Sequence, residues 1–216
     1  MPDYILHNYF NSTTSVRVRV ALAMKGLDYN YKAYALLPNE HKSESYLALN
    51  PQGLVPALEI DGKTIITQSL AILEYLDEAH PKPALLPADA LGRARVRSLS
   101  QIIGVDIHPI NNLRILRYLE SEFSADAKAK TKWFHQWAHA GFKALETRLS
   151  TEPQTGLFCH GDAPSMADIC LYGQMFNNVR FGMDMRAYPT AMRIYEECTK
   201  LPAFLAGAPS NQPDYT

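Results

Sequence analysis

No two cysteines in this chain stand at the Cys-x-x-Cys spacing, which excludes dithiol redox chemistry by the chain alone. The three present, Cys159, Cys170 and Cys198, are too widely spaced to read as a disulfide framework. Cys170 falls in the apolar stripe of a helical pattern and reads as core. Charge of one sign is also lacking. The formal net charge is -1, so no overall field favours nucleic acid or an anionic membrane, and an anionic ligand must be held by local cations. No apolar run is long enough to span a bilayer. Met1-Pro2-Asp3 opens no basic and then apolar leader, so a cytoplasmic location is the expectation. His135 and His139 share a helix face but have neither a Glu after His135 nor an evident third ligand. With Trp133 and Trp137 in the same segment they read as a packed aromatic helix, and no metal is expected.

What the chain does have is length and apolar content. Its 216 residues, 47% hydrophobic and 20% charged, suffice for one large or two modest globular domains. The first eighty residues alternate short strand and helix patterns. Tyr4 to Asn8 reads as a strand, and Ser15 to Lys25 as a helix ended by Gly26. Tyr29 to Ala35 reads as a strand, and His41 to Leu49 as a short polar helix or turn. Leu54 to Ile60 and Lys63 to Thr67 flank Asp61-Gly62, the strongest two-residue hairpin signal in the chain. A helix then follows Gln68-Ser69 through Leu76, with Glu74 and Asp77 on its exposed side. This β-α-β then β-β-α order implies a small mixed sheet with helices packed on it.

Pro81-Lys82-Pro83-Ala84-Leu85-Leu86-Pro87 closes that unit, and strand signals stop there. Residues from Asp89 to Glu120, Ala125 to Leu149, Ser165 to Arg180 and Thr190 to Thr199 carry helical periodicity. The boundaries are therefore 1–83 for an α/β domain and 88–216 for an all-α domain, with a frayed tail from Pro209 to Thr216. Ser165 and Asp168 form a capping box that concerns folding alone.

Three places carry chemistry. Ser12, Thr13, Thr14 and Ser15 sit where the first strand gives way to a helix. A helix N-terminus presents unpaired amides and a positive dipole end, so hydroxyls there can cap the helix or face an anion outside it. If that anion is a thiolate, the arrangement lowers a thiol pKa, and the thiol need not belong to the protein, since no cysteine lies in the segment. Pro56 interrupts a strand pattern. It marks either an edge strand or a Val55-Pro56 turn that presents Val55 backbone to a peptide-like ligand, and pattern alone does not separate the two. Asp106-Ile107-His108-Pro109-Ile110-Asn111-Asn112 puts four poor helix formers inside a helical pattern, and a kink at Pro109 would turn His108 and Asn112 toward a cleft. Arg17, Arg114 and Arg180 are candidate carboxylate clamps beside these segments.

Together with Asn50-Pro51-Gln52-Gly53-Leu54-Val55-Pro56-Ala57-Leu58, Gln68-Ser69-Leu70-Ala71-Ile72 and Gly161-Asp162-Ala163-Pro164-Ser165-Met166-Ala167-Asp168, these segments resemble the glutathione transferase superfamily. The stretch Ser12 to Leu22 and the Asp106 to Asn112 segment narrow the resemblance to its zeta class, the maleylacetoacetate and maleylpyruvate isomerases. The resemblance spans essentially the whole chain. It implies an α/β N-terminal thioredoxin-like domain followed by an all-α C-terminal domain, a homodimer, glutathione as cofactor, a cis Val55-Pro56 peptide, and a place in aromatic amino acid catabolism.

By position, Ser12 would orient the glutathione sulfur, with Thr13 and Thr14 beside it. His41 and Gln52 would contact the glycyl end, Val55 the cysteinyl backbone, and Gln68 with Ser69 the γ-glutamyl carboxylate. Asn11, His108, Asn112, Arg114 and Arg180 would face the dicarboxylate substrate. The chain departs from the class in three places: Thr14 replaces a cysteine, Val16 an aromatic or histidine, and Asn11 an arginine. The implied reaction is cis–trans isomerisation of a maleyl-type dicarboxylate by reversible thiolate addition. Two alternatives use the same residues: a transferase that conjugates or dehalogenates small electrophilic acids, and a glutathione-binding module without turnover.

Overall fold

Along β1 (Tyr4–Asn8) the side chains alternate. Tyr4 and Asn8 reach helices on one face, while His7 lies under Tyr34 and Tyr46 on the other. The computed structural model describes residues 3–216 and divides them into two compact units: residues up to Leu85 with Thr199–Thr216, and Leu86–Cys198.

The first unit holds a four-stranded sheet in the order β2-β1-β3-β4. β2 (Asn30–Ala33) runs parallel to β1, with Leu6 opposite Tyr31. β3 (Ala57–Ile60) and β4 (Thr64–Thr67) are antiparallel, with Leu6 opposite Leu58 and Leu58 opposite Ile66. Asp61 and Gly62 both take positive φ, 51° and 64°, as the Asp-Gly hairpin requires. β2 is shorter than the expected Tyr29 to Ala35 because it is a largely exposed edge strand. β3 starts three residues later than expected. The Val55-Pro56 peptide is cis, and Pro56 precedes an inner strand, so the edge-strand reading of Pro56 does not hold.

Helix α1 (Thr13–Met24) is buried on every side from Ser15 to Leu22, not on one stripe as the pattern suggests. The short α2 (Glu44–Leu49) lies between β2 and β3 in the chain. Besides the sheet unit's α3 (Ser69–Ala79), α1 packs on α9 (Pro202–Gly207). The crossing with α9 is close: a Cβ on Gly207 would lie 2.4 Å from Val20 Cγ2. Burying α1 also buries Arg17 and Arg19, so their guanidinium groups must find partners. Arg19 donates to Asn8 Oδ1 (2.9 Å), Tyr9 O (3.2 Å), Phe10 O (2.8 Å) and Gly207 O (3.1 Å). Asp77, expected on an exposed face, is buried and accepts from Lys25 Nζ at 2.8 Å. The tail expected to fray is ordered against this same unit. Gln212 is buried and donates to Ala206 O and Ala208 O, so α9 and the residues after it leave the helical domain to which 88–216 assigned them.

The second unit is helical: α4 (Ala90–Gln101), α5 (Leu113–Phe123), α6 (Ala127–Thr151), α7 (Met166–Arg180) and α8 (Pro189–Thr199). The single helix expected from Asp89 to Glu120 is broken. A π-helical segment (Ile102–Ile107) and a 3-10 turn (Pro109–Asn111) separate α4 from α5, because Pro109 cannot donate to the ladder. The chain entering α7 is held from two sides. Arg95 donates to Glu152 (2.6 Å), Thr155 (2.9 Å) and Cys159 O (2.6 Å), while buried Asp168 accepts from Cys159 N and Ser165 N, both at 2.8 Å. The Ser165–Asp168 capping box forms as the sequence indicates.

His7 gives the fold a pH dependence. Its Nε2 lies 2.8 Å from Glu59 Oε2 and its Nδ1 3.0 Å from the Tyr34 hydroxyl. Burial pushes the imidazole below its ordinary 6.5 and outweighs the pull of Glu59, so the contact is a neutral N–H donated to a carboxylate. The unfolded chain then takes up a proton near pH 6.5 that the folded chain refuses. The stability from His7 is complete above that pH and is lost as pH falls through the lower folded value. We predict that the melting temperature declines from pH 7 to pH 5, and that His7→Gln flattens this decline; equal slopes in both proteins would contradict the assignment.

Candidate active site

Ser12 is the N-cap of α1. Its Oγ accepts from Ser15 N at 3.3 Å and lies 2.9 Å from Thr14 Oγ1. Thr14 donates its one hydroxyl proton to Val55 O at 3.0 Å. The proton between the two hydroxyls therefore belongs to Ser12. A chain Ser12 to Thr14 to Val55 results, tying the helix N-terminus to the carbonyl just before the cis proline. An anion near Ser12 meets a hydroxyl that can turn its proton outward, next to amides at the positive end of a twelve-residue helix. Thr13 is a different case. It is 2% exposed, against 9% for Ser12.

A second helix N-terminus completes this half. Gln68 holds φ 70° ahead of α3, offers no side-chain cap, and donates from Nε2 to Gln52 Oε1 at 2.8 Å. Ser69, the first residue of α3, accepts from Arg17 Nη1 at 3.2 Å. Arg17 is 1% exposed, so the candidate clamp is a buried positive charge beside the start of α3. His41 is buried in a 3-10 turn (Glu40–Lys42), and Lys42 Nζ reaches Gln52 O at 3.3 Å. Gly53 joins the two segments. At φ 58° it packs so tightly that a Cβ would sit 2.8 Å from Lys42 Nζ and 2.9 Å from Leu47 Cδ2. The structure thus brings Ser12, Thr14 and Val55 together, and separately Gln52, Gln68 and Ser69. Asn11 is half-buried in the turn before Ser12.

The second unit gathers His108, Asn112 and Arg114 at the break between α4 and α5. Asn112 caps α5 by accepting from Arg114 N at 3.1 Å, and its Nδ2 lies 3.4 Å from His108 Nε2. Because the Asn112 oxygen is taken by the cap, the amide nitrogen is the donor and His108 Nε2 the acceptor. Arg114 is exposed. Arg180 lies at the far end of α7, where it donates to Asn177 Oδ1 at 2.6 Å and stands 5.6 Å over the Phe181 ring. Asn111 went unread in the sequence as anything beyond an odd helical residue. Its amide is buried and neither its nitrogen nor its oxygen has a hydrogen-bond partner among the described residues. Such a group costs roughly 1–3 kcal/mol.

The remaining candidates have structural partners. His135 Nε2 lies 2.7 Å from Phe181 O, and His139 Nδ1 lies 2.7 Å from the Tyr188 hydroxyl. All three cysteines are buried, and burial drives the Cys159 and Cys198 thiols well above their ordinary range. Neither is a thiolate near neutral pH, so sulfur chemistry at Ser12 would need a sulfur from outside the chain.

A model of the glutathione S-transferase N-terminal domain matches residues 2–78. Maleylpyruvate isomerase of a Ralstonia species is 47% identical over 209 residues, spanning 97% of this chain and 98% of that protein. The chain belongs to the glutathione transferase superfamily, in its zeta class. A holo structure of a maleylpyruvate isomerase, described as a bacterial glutathione transferase of the zeta class, matches with a TM-score of 0.96 at 47% identity, covering 98% of this chain and 100% of that one. A maleylacetoacetate isomerase from Methylobacterium extorquens, solved with bound malonate and glutathione, matches with a TM-score of 0.94 at 39% identity, covering 98% and 99%.

In this zeta-class chain the Gly53 packing yields a test. Gly53→Ala forces the Asn50 to Gly53 turn away from the His41 segment. It is expected to weaken glutathione binding by about tenfold, roughly 1.4 kcal/mol, when dissociation constants are measured by calorimetry. An unchanged constant would show that this turn does not shape the tripeptide site.

Proposed function

We propose that this chain is a glutathione-dependent cis–trans isomerase that converts a maleyl-type dicarboxylate, maleylacetoacetate or maleylpyruvate, to its fumaryl isomer. The observation that carries this reading is the Ser12 hydroxyl at the N-terminus of α1, in a chain whose own thiols are all buried. The full-length similarity to proteins named as these isomerases supports it.

The residues present fit glutathione on two structural grounds. The α3 N-terminus has no side-chain cap and is backed by the Arg17 charge through Ser69, which suits the γ-glutamyl carboxylate beside Gln68 and Ser69. Val55 presents backbone beside the cis bond for the cysteinyl unit, with Gln52 and His41 toward the glycyl end. When bound, glutathione supplies a thiolate that adds reversibly to the substrate alkene and so permits rotation. A free thiol with a pKa near roughly 8.5 is only slightly ionised at neutral pH. Ser12 raises the ionised fraction by turning its hydroxyl proton from Thr14 to the sulfur, while Thr14 stays bound to Val55. For His108, Asn112, Arg114 and Arg180 we propose contact with substrate carboxylates and with the negative charge that develops on the carbonyl oxygen. Asn11 leaves that set one cation short of the usual class pattern. The proposal includes a homodimer and a cytoplasmic location, the latter in keeping with three buried cysteines that form no disulfide.

The test is an absorbance assay on both maleyl compounds with and without glutathione. Isomerisation should need glutathione and leave it unconsumed, and Ser12→Ala should lower turnover by about a hundredfold. Wild-type turnover in Ser12→Ala, or undiminished catalysis without glutathione, would contradict the reading. Consumption of glutathione would favour the transferase alternative, and Asn11→Arg compared on the two diacids tests how far the missing cation sets the substrate.

A further inference from the structure

The turn that delivers Ser12 to the helix end is only a few residues long, and two charged groups specify its backbone. Arg19 donates to the carbonyls of Tyr9 and Phe10. From the opposite end of the chain, Asp214 accepts from Phe10 N at 3.0 Å through one carboxylate oxygen. Its other oxygen accepts from the Tyr31 hydroxyl on the edge strand β2. Burial, with this bond second, raises the Tyr31 pKa and keeps the phenol a donor. The turn then closes on itself as Ser12 N donates to Tyr9 O at 3.1 Å. The Tyr215 ring stands edge-on to Phe10 with centroids 5.6 Å apart.

The tail reaches this point along a fixed path. α9 is pinned to the middle of α1 by the Arg19 bond to Gly207 O and by the close Gly207–Val20 approach. Gln212 then spends both of its amide N–H groups on Ala206 O and Ala208 O, turning the chain back toward the start of α1. Phe10 is buried, so loss of its carboxylate partner leaves a backbone N–H in an apolar setting. The turn must shift to satisfy it. Ser12 is two residues away, and the hydrogen bond it offers a sulfur is steep in distance and angle.

We propose that Asp214 is a positioning residue for the thiolate site: from the C-terminal tail it sets the Tyr9 to Ser12 turn and, through it, the aim of the Ser12 hydroxyl. The inference rests on the reading of Ser12 as the donor to the glutathione sulfur. The measurement is a pH titration of the ultraviolet thiolate band of glutathione bound to wild type, Asp214→Ala, Asp214→Asn, Tyr31→Phe and Ser12→Ala, with glutathione affinity measured alongside.

Asp214→Ala should raise the bound thiol pKa by about one unit, a tenfold loss of thiolate at neutral pH, while the affinity for protonated glutathione stays within about twofold of wild type. Asp214→Asn keeps an acceptor oxygen for one donor and should fall between the two; it decides the matter if Asp214→Ala does not fold. Tyr31→Phe leaves the Phe10 bond in place and should stay near wild type. A wild-type thiol pKa in both Asp214 variants, with a raised one in Ser12→Ala, would overturn the role of the tail and leave the Ser12 reading standing. An unshifted pKa in Ser12→Ala would overturn both.

Discussion

The first unit is organised by the burial of α1 on every side, with Ser12 capping its N-terminus at the end of a short turn. A helix enclosed on all sides is ordinarily apolar throughout. Here two arginines lie inside, and each serves one end of the problem. Arg19 gathers the carbonyls of the turn that leads into α1, and Arg17 places its charge behind Ser69 at the start of α3. The Ser12–Thr14–Val55 hydrogen-bond chain then links the helix end to the backbone before Pro56. Preorganised donors of this kind need little rearrangement when an anion arrives, which is the condition under which they are worth most.

The second unit solves a different problem by interrupting a helix. His108, Pro109, Asn111 and Asn112 would each weaken a continuous α-helix, and the chain answers with a π segment, a 3-10 turn and a new cap at Asn112. The result is a cluster of polar groups at a helix junction where a regular ladder would have spread them around a cylinder. Asn111 retains an unsatisfied buried amide there, a cost that packing alone does not explain.

Much of this was legible from residue order. The hydroxyl run at 12–15 marked a helix start, Asp61-Gly62 fixed the hairpin, and the His108 to Asn112 segment announced its own irregularity. Periodicity was less informative where burial is two-sided. Nothing in the pattern of α1 distinguishes a helix covered by a sheet alone from one covered also by α9, so Arg17 read as a surface clamp and Asp77 as an exposed charge. The tail was misread for a related reason. Pro209 to Thr216 has the composition of a loose end, and its order comes from side-chain bonds of Gln212 and a long-range bond of Asp214 that local propensity cannot register. Pro56 shows the same limit from another side: the residues narrowed the choice to two, and only the strand order decided between them.

Thr14 and Asn11 separate this chain from the usual pattern of its class in opposite senses. A threonine hydroxyl at position 14 keeps a donor and an acceptor in the Ser12 relay. In the proposed site, asparagine at position 11 would withdraw a charge from the substrate and leave the thiol's donors in place. The account therefore stands on the thiol. Its most direct test is an NMR titration of glutathione, carbon-13 labelled at the cysteinyl β-carbon and bound to the wild-type protein, which reads ionisation of that one sulfur. The account predicts a midpoint at least one unit below the roughly 8.5 of a free thiol; a midpoint equal to that of free glutathione would contradict it.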